Sequence, residues 1–200
     1  MNAVLKTVAA AAILTVGLAQ NANAGPVVFK VDLNGANESP ANASPAVGSA
    51  VIAYDVDVHT MTLHLTFSDL SAPTTAAHLH CCTAVPGVGT AGVATTTPFF
   101  AGFPIGVTSG TFDIILDLTA AASYNAAFIT SHGGTIASAE AALVQGAKDG
   151  EEYLNVHTQA FGGGEIRGFL AEIPEPATLA IFGFGLAALG FVRRRRSPRA

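Results

Sequence analysis

Residues 50–67 read AVIAYDVDVHTMTLHLTF, and the spacing of their side chains decides the fold. Ala50, Ile52, Tyr54, Val56 and Val58 fall at every second position, with Asp55, Asp57 and His59 between them. Met61, Leu63, Leu65 and Phe67 then alternate with Thr62, His64 and Thr66. A period of two belongs to a strand with one face in a core and the other in water. The pattern predicts two half-buried strands joined by a hairpin at His59-Thr60, with His59 and His64 as plain surface residues.

Working outward, Val27–Leu33 (VVFKVDL) reads as a first strand, and Phe112, Ile114, Leu116 and Leu118 alternate with Asp113 and Asp117. Glu152–Thr158 and Glu165–Ala171 read as two further strands across Gly162-Gly163-Gly164. Ser123–Ile129 and Ser138–Gln145 are alanine-rich and helical in character, with Ser138 as a cap and Gly146 as a stop. Glycine and proline punctuate 83–110, which predicts a long loop with a short strand or two. Strands at this spacing predict an all-β domain, a sandwich or barrel with short helical insertions.

Both ends of the chain carry addresses. Lys6, the apolar run Thr7–Ala19 and the small residues of Ala22-Asn23-Ala24 form a secretory signal, so residues 1–24 are predicted to be removed. At the other end Pro174-Glu175-Pro176 precedes an uncharged run, 177–192, and then Arg193–Arg196. As a helix that run reaches about 24 Å, slightly short of a hydrocarbon core of about 30 Å, and the arginines are predicted to stay cytoplasmic. The order of these three features closely resembles the PEP-CTERM sorting signal. That resemblance implies an exosortase-type processing enzyme as partner and an envelope or extracellular destination, often alongside exopolysaccharide.

The remaining domain, 25–172, holds Lys30, Lys148 and Arg167 against 13 acidic residues, a net charge of −10 that the whole-chain value of −5 conceals. Such a surface repels phosphate backbones, so nucleic acid is excluded as a partner.

The chemistry concentrates in Ala77-His78-Leu79-His80-Cys81-Cys82. On a strand, His78 and His80 share a face, as do Tyr153, Asn155 and His157 further on. If those strands are neighbours, three imidazoles with an open position suit copper or zinc. Glu165 and Arg167, which share a face of the next strand, then stand as outer partners. A purely structural histidine network fits the same residues. In an oxidising compartment Cys81 and Cys82 have no other partner in the chain, which leaves a vicinal disulfide, free thiols or intermolecular bonds. No nucleophile elbow, phosphate-binding glycine loop or His-Glu-x-x-His helix is present in the sequence. The expectation is therefore a non-enzymatic binding or structural module, with a copper- or zinc-binding, redox-active metalloprotein as the alternative.

Asn37-Glu38-Ser39-Pro40, Gly48, Ala77-His78-Leu79-His80, Tyr153–Thr158 and Gly164-Glu165-Ile166-Arg167-Gly168 occur in that order. Together they resemble the CHRD domain, the module repeated in chordin and found singly in many bacterial exported proteins. The resemblance implies an immunoglobulin-like antiparallel β-sandwich with no well-established activity. It directs attention to Glu38, His78, His80, His157, Glu165 and Arg167, with Glu165 or Glu38 pairing Arg167. The His-x-His strand with a distant histidine is also distantly similar to the copper site of copper-zinc superoxide dismutase. That comparison supports one metal at most.

Overall fold

The structure is a computed structural model and describes residues 25–174. The predicted signal 1–24, most of the sorting motif, the apolar run 177–192 and the arginine cluster lie outside the described residues. Among the described residues no helix is long and apolar enough to cross a membrane.

Eight strands follow one another as β1 Val27–Asn34, β2 Val47–Asp55, β3 Thr60–Ser68, β4 Thr74–His80, β5 Gly110–Asp117, β6 Tyr153–Thr158, β7 Ile166–Phe169 and β8 Ala171–Glu172. Two helices, α1 Ala126–Ser131 and α2 Ile136–Lys148, interrupt them between β5 and β6. The strands join antiparallel along one path, β4-β6-β7-β1-β2-β3-β5, with β8 against β1. The all-β expectation holds. The ladder is continuous, and it does not draw the two-sheet division of an immunoglobulin-like sandwich.

The hairpin predicted at 50–67 is β2–β3, with Ala50 opposite Leu65 and Tyr54 opposite Met61. Phe29, Val31, Leu33, Ile52, Tyr54, Met61, Leu63 and Leu65 fill the core, while Lys30, Thr62 and His64 between them face water. His59 and His64 are half exposed, and each meets a carboxylate, Glu140 at 2.9 Å and Asp113 at 2.7 Å.

The other half of the sheet departs from this alternation. All six residues of β6 are buried. One face, with Leu154 and Val156, meets the core, and the other lies under segments from outside the sheet. The long loop predicted at 83–110 runs beside edge strand β4, where Cys81 N donates to Gly92 O (3.1 Å), Ala94 N to Leu79 O (2.8 Å) and Phe100 N to Ala77 O (3.2 Å). An edge strand exposes unpaired backbone groups, and this loop satisfies them.

The helices require two corrections. Thr135, not Ser138, is the cap of α2: its hydroxyl accepts from Ser138 N at 3.1 Å, and Ser138 returns the contact to Thr135 N at 3.3 Å. Gly146 does not end the helix but lies inside it, because a Cβ there would collide with the sulfurs of both Cys81 and Cys82. The chain leaves α2 instead at Gly150, whose φ of 71° suits a residue just past a helix end. The first helix begins at Ala126, capped by the Asn125 side chain, after a single tight turn at 121–123.

Candidate metal centre

The register between β4 and β6 sets His78 opposite Asn155, His80 opposite Tyr153 and Ala76 opposite His157. Across β7, Asn155 faces Arg167 and Tyr153 faces Phe169. Directly opposed residues share a face, so the three histidines, Tyr153, Asn155, Arg167 and Phe169 project together. Ala77, Leu79, Leu154, Val156 and Ile166, all buried in the core, hold the opposite face. Burial of that apolar set fixes where the polar set points.

The three imidazoles converge. Their ligating nitrogens all lie within 4.8 Å of one another. Ring centroids stand 4.7 Å apart for His78–His80 and for His78–His157, and 6.2 Å for His80–His157. Each ring meets a backbone carbonyl through Nδ1: His78 with Pro98 O at 2.9 Å, His80 with Ala91 O at 2.8 Å, and His157 with Gly162 O at 3.0 Å. A carbonyl only accepts, so each Nδ1 carries the proton and each Nε2 presents a lone pair.

Those lone pairs have no donor among them. His78 Nε2 and His157 Nε2 are 3.0 Å apart, and His80 Nε2 is buried with no partner. A shared proton would reconcile the close pair only by making one ring an imidazolium. Burial opposes that charge, the carbonyl contacts offset only part of the effect, and the neighbouring histidines add to it. His78 and His80 are held down at about 4, and His157 is lowered as well. Near neutral pH the cluster is three uncharged rings pointing bare nitrogens at a common point. A cation resolves that arrangement, and the carbonyl on each Nδ1 is the outer contact that a metal-binding histidine ordinarily makes.

Arg167 lies beside the cluster and is almost fully buried. Its Nε donates to Asn37 O, its Nη1 donates to Gly89 O at 2.9 Å, and Glu38 Oε2 is 3.9 Å away. The guanidinium sits 4.7 Å over the Tyr153 ring, which stacks at 4.6 Å on His80. Burial pushes the Glu38 carboxyl up to about 7, against the pull of Arg167. Glu38 Oε1 and Asn155 Oδ1 are both buried without partners, and both occupy the space that a Cβ on Gly164 would need.

Of the predicted outer residues, Glu38 pairs with Arg167 and Asn155 lies between Arg167 and His78. Glu165 does neither, which corrects the expectation. The β6–β7 ladder starts only at Ile166, after Gly164 at φ 126°, so Glu165 does not share the Arg167 face. Its carboxylate instead accepts from Ser44 Oγ (2.6 Å), Ser71 N (2.7 Å) and Thr158 Oγ1 (2.6 Å). Burial alone raises that group, but these donors together outweigh it and hold the carboxyl below its ordinary value. Cys81 and Cys82, which follow His80 directly, form a disulfide with each other and stand against α2. The carbonyls of Ala91, Pro98 and Gly162 were not foreseen, since every residue carries one and nothing in the sequence marks these three.

No curated protein and no solved structure matches the chain. A family model for the PEP-CTERM protein-sorting motif matches residues 172–196, which identifies an exported protein, sorted by an exosortase-type enzyme to the cell envelope or surface. A second model matches residues 29–170, from the first core phenylalanine through β7 and across all three histidines, and by that match the chain belongs to the CHRD domain family.

Proposed function

We propose that this chain is a non-enzymatic module of the envelope or extracellular matrix whose His78–His80–His157 centre holds one copper or zinc ion. The observation that carries the reading is the convergence of three buried Nε2 lone pairs, with every Nδ1 already committed to a carbonyl. Three nitrogens with an open fourth position form a donor set that both metals accept. The sorting motif supports the destination. Exopolysaccharide or another matrix component is the partner class that fits an exported, acidic domain with this address.

Elemental analysis of the exported protein tests the metal, alone and with His78→Ala and His80→Ala combined. One equivalent of copper or zinc, lost in the double variant while unfolding stays cooperative, supports the reading. A protein that stays metal-free after exposure to micromolar amounts of either ion refutes it and leaves the histidines as a strand-to-loop brace. Matrix association that persists in chelator would separate the envelope role from the ion.

A further inference from the structure

We infer that the ion this centre selects is monovalent copper in preference to a divalent cation; the inference rests on the metal reading above and decides between its alternatives. Donor type does not decide, because imidazole serves copper and zinc alike. Charge does.

The three converging donors are neutral rings, and the groups behind them, the carbonyls of Ala91, Pro98 and Gly162, are neutral as well. Among the described residues no carboxylate or thiolate joins the cluster. The two cysteines are tied to each other in a disulfide that stands against α2. Glu165, the nearest acidic residue in sequence to β7, is turned to Ser44, Ser71 and Thr158. The charged group linked to the rings by contact is a cation: Arg167 lies over Tyr153, and Tyr153 stacks on His80. Glu38 offsets that charge only in part, at 3.9 Å from the guanidinium Nε.

A divalent ion bound here keeps its full charge in a poorly solvated site facing a guanidinium. A monovalent ion carries half the charge and meets half the repulsion. One extra unit charge about 10 Å from a fixed charge costs roughly tenfold in affinity at an effective dielectric near 20. Three imidazoles can complete the shell of monovalent copper, whereas zinc is ordinarily four-coordinate and needs a further ligand.

The test is an anaerobic competition in which the exported protein meets equimolar copper(I) and zinc(II) at pH 8. Ascorbate keeps the copper reduced and leaves the disulfide intact. Copper is expected in the larger share of the sites, up to the roughly nine-tenths that a full tenfold preference gives, because Glu38 offsets part of the guanidinium charge. Arg167→Gln should raise zinc affinity about tenfold more than copper affinity, and Glu38→Gln, which bares the guanidinium, should lower zinc affinity more than copper affinity. The second variant and the wild-type competition stand if the first fails to fold. Equal or greater zinc loading in the wild type overturns the selectivity while leaving a metal site in place. Binding of neither ion overturns the metal reading itself.

Discussion

Replacing Glu152 with glutamine tests a carboxyl that sits inside the hydrophobic core. Tyr54 and Glu152 are both fully buried, and the tyrosine hydroxyl donates to Glu152 Oε1 at 2.7 Å, while Oε2 has no partner. Burial pushes the carboxyl from 4.5 up to about 8, and the Tyr54 hydrogen bond offsets only part of that. The folded state therefore holds a proton that the unfolded chain releases near 4.5. Its contribution to stability is complete below that pH, declines as pH rises and is gone above about 8. Between pH 6.5 and 8.5 the loss is about 2 kcal/mol, at 1.36 kcal/mol for each tenfold change in proton activity while the group stays protonated. Glu152→Gln keeps the shape and an acceptor for Tyr54 but cannot titrate. Urea unfolding of both proteins across that window should give a wild-type stability that falls by about 2 kcal/mol relative to the variant. Contributions from Glu38 and the histidines occur in both proteins and cancel. A difference that is flat, or that grows in favour of the wild type with rising pH, would refute the reasoning.

Three further outcomes follow from geometry already described. Gly146→Ala drives a methyl into the disulfide and should cost about 1–3 kcal/mol; replacing both cysteines with alanine should shrink that penalty in a double-mutant cycle. Thr158→Ala removes a donor from the Glu165 carboxylate and should cost about 1.5–3 kcal/mol at pH 7. Because Glu165 is held below its ordinary value, that cost should fade as pH drops below the ordinary 4.5 and through the depressed value; a cost that is constant with pH would count against the assignment. The intact mass of the exported protein should lack residues 1–24 and Arg193–Arg196, and a retained arginine cluster would contradict processing at the sorting motif.

How much was legible in the sequence depended on whether one face of each strand meets water. The 50–67 hairpin was readable because its outer face is wet and mostly polar, although Val51 lies on that face, and Val56 and Val58, which continue the alternation, are exposed in the turn beyond β2. β6 was readable as a strand, but its burial was not: His157 and Asn155 look like a solvent face until loop residues cover them. The three carbonyls that orient the imidazoles are backbone groups in a stretch that sequence marks only as irregular. Thr135 and Ser138 are both good cap residues, and reciprocity between them, not identity, decides which one caps. Gly146 reads as a stop from sequence because its clash partners, the two sulfurs, lie on a segment far away along the chain. Counting in twos puts Glu165 on the Arg167 face, and the count fails because the regular β6–β7 ladder begins only at Ile166.

The position of β1 carries a consequence for how the molecule comes into being. This first strand lies between β2 and β7, so residues 27–34 are flanked on both sides only after the last quarter of the chain has arrived. Pairing across so many intervening residues is slow to nucleate. During secretion the early hairpin can form as it emerges, but its neighbour waits for the trailing segment, and so do His78 and His80, which meet their third ring only when β6 docks. Assembly of the three-histidine cluster is thereby postponed to the outer side of the bilayer, so an ion bound as proposed would be drawn from that side and not from the cytosolic pool.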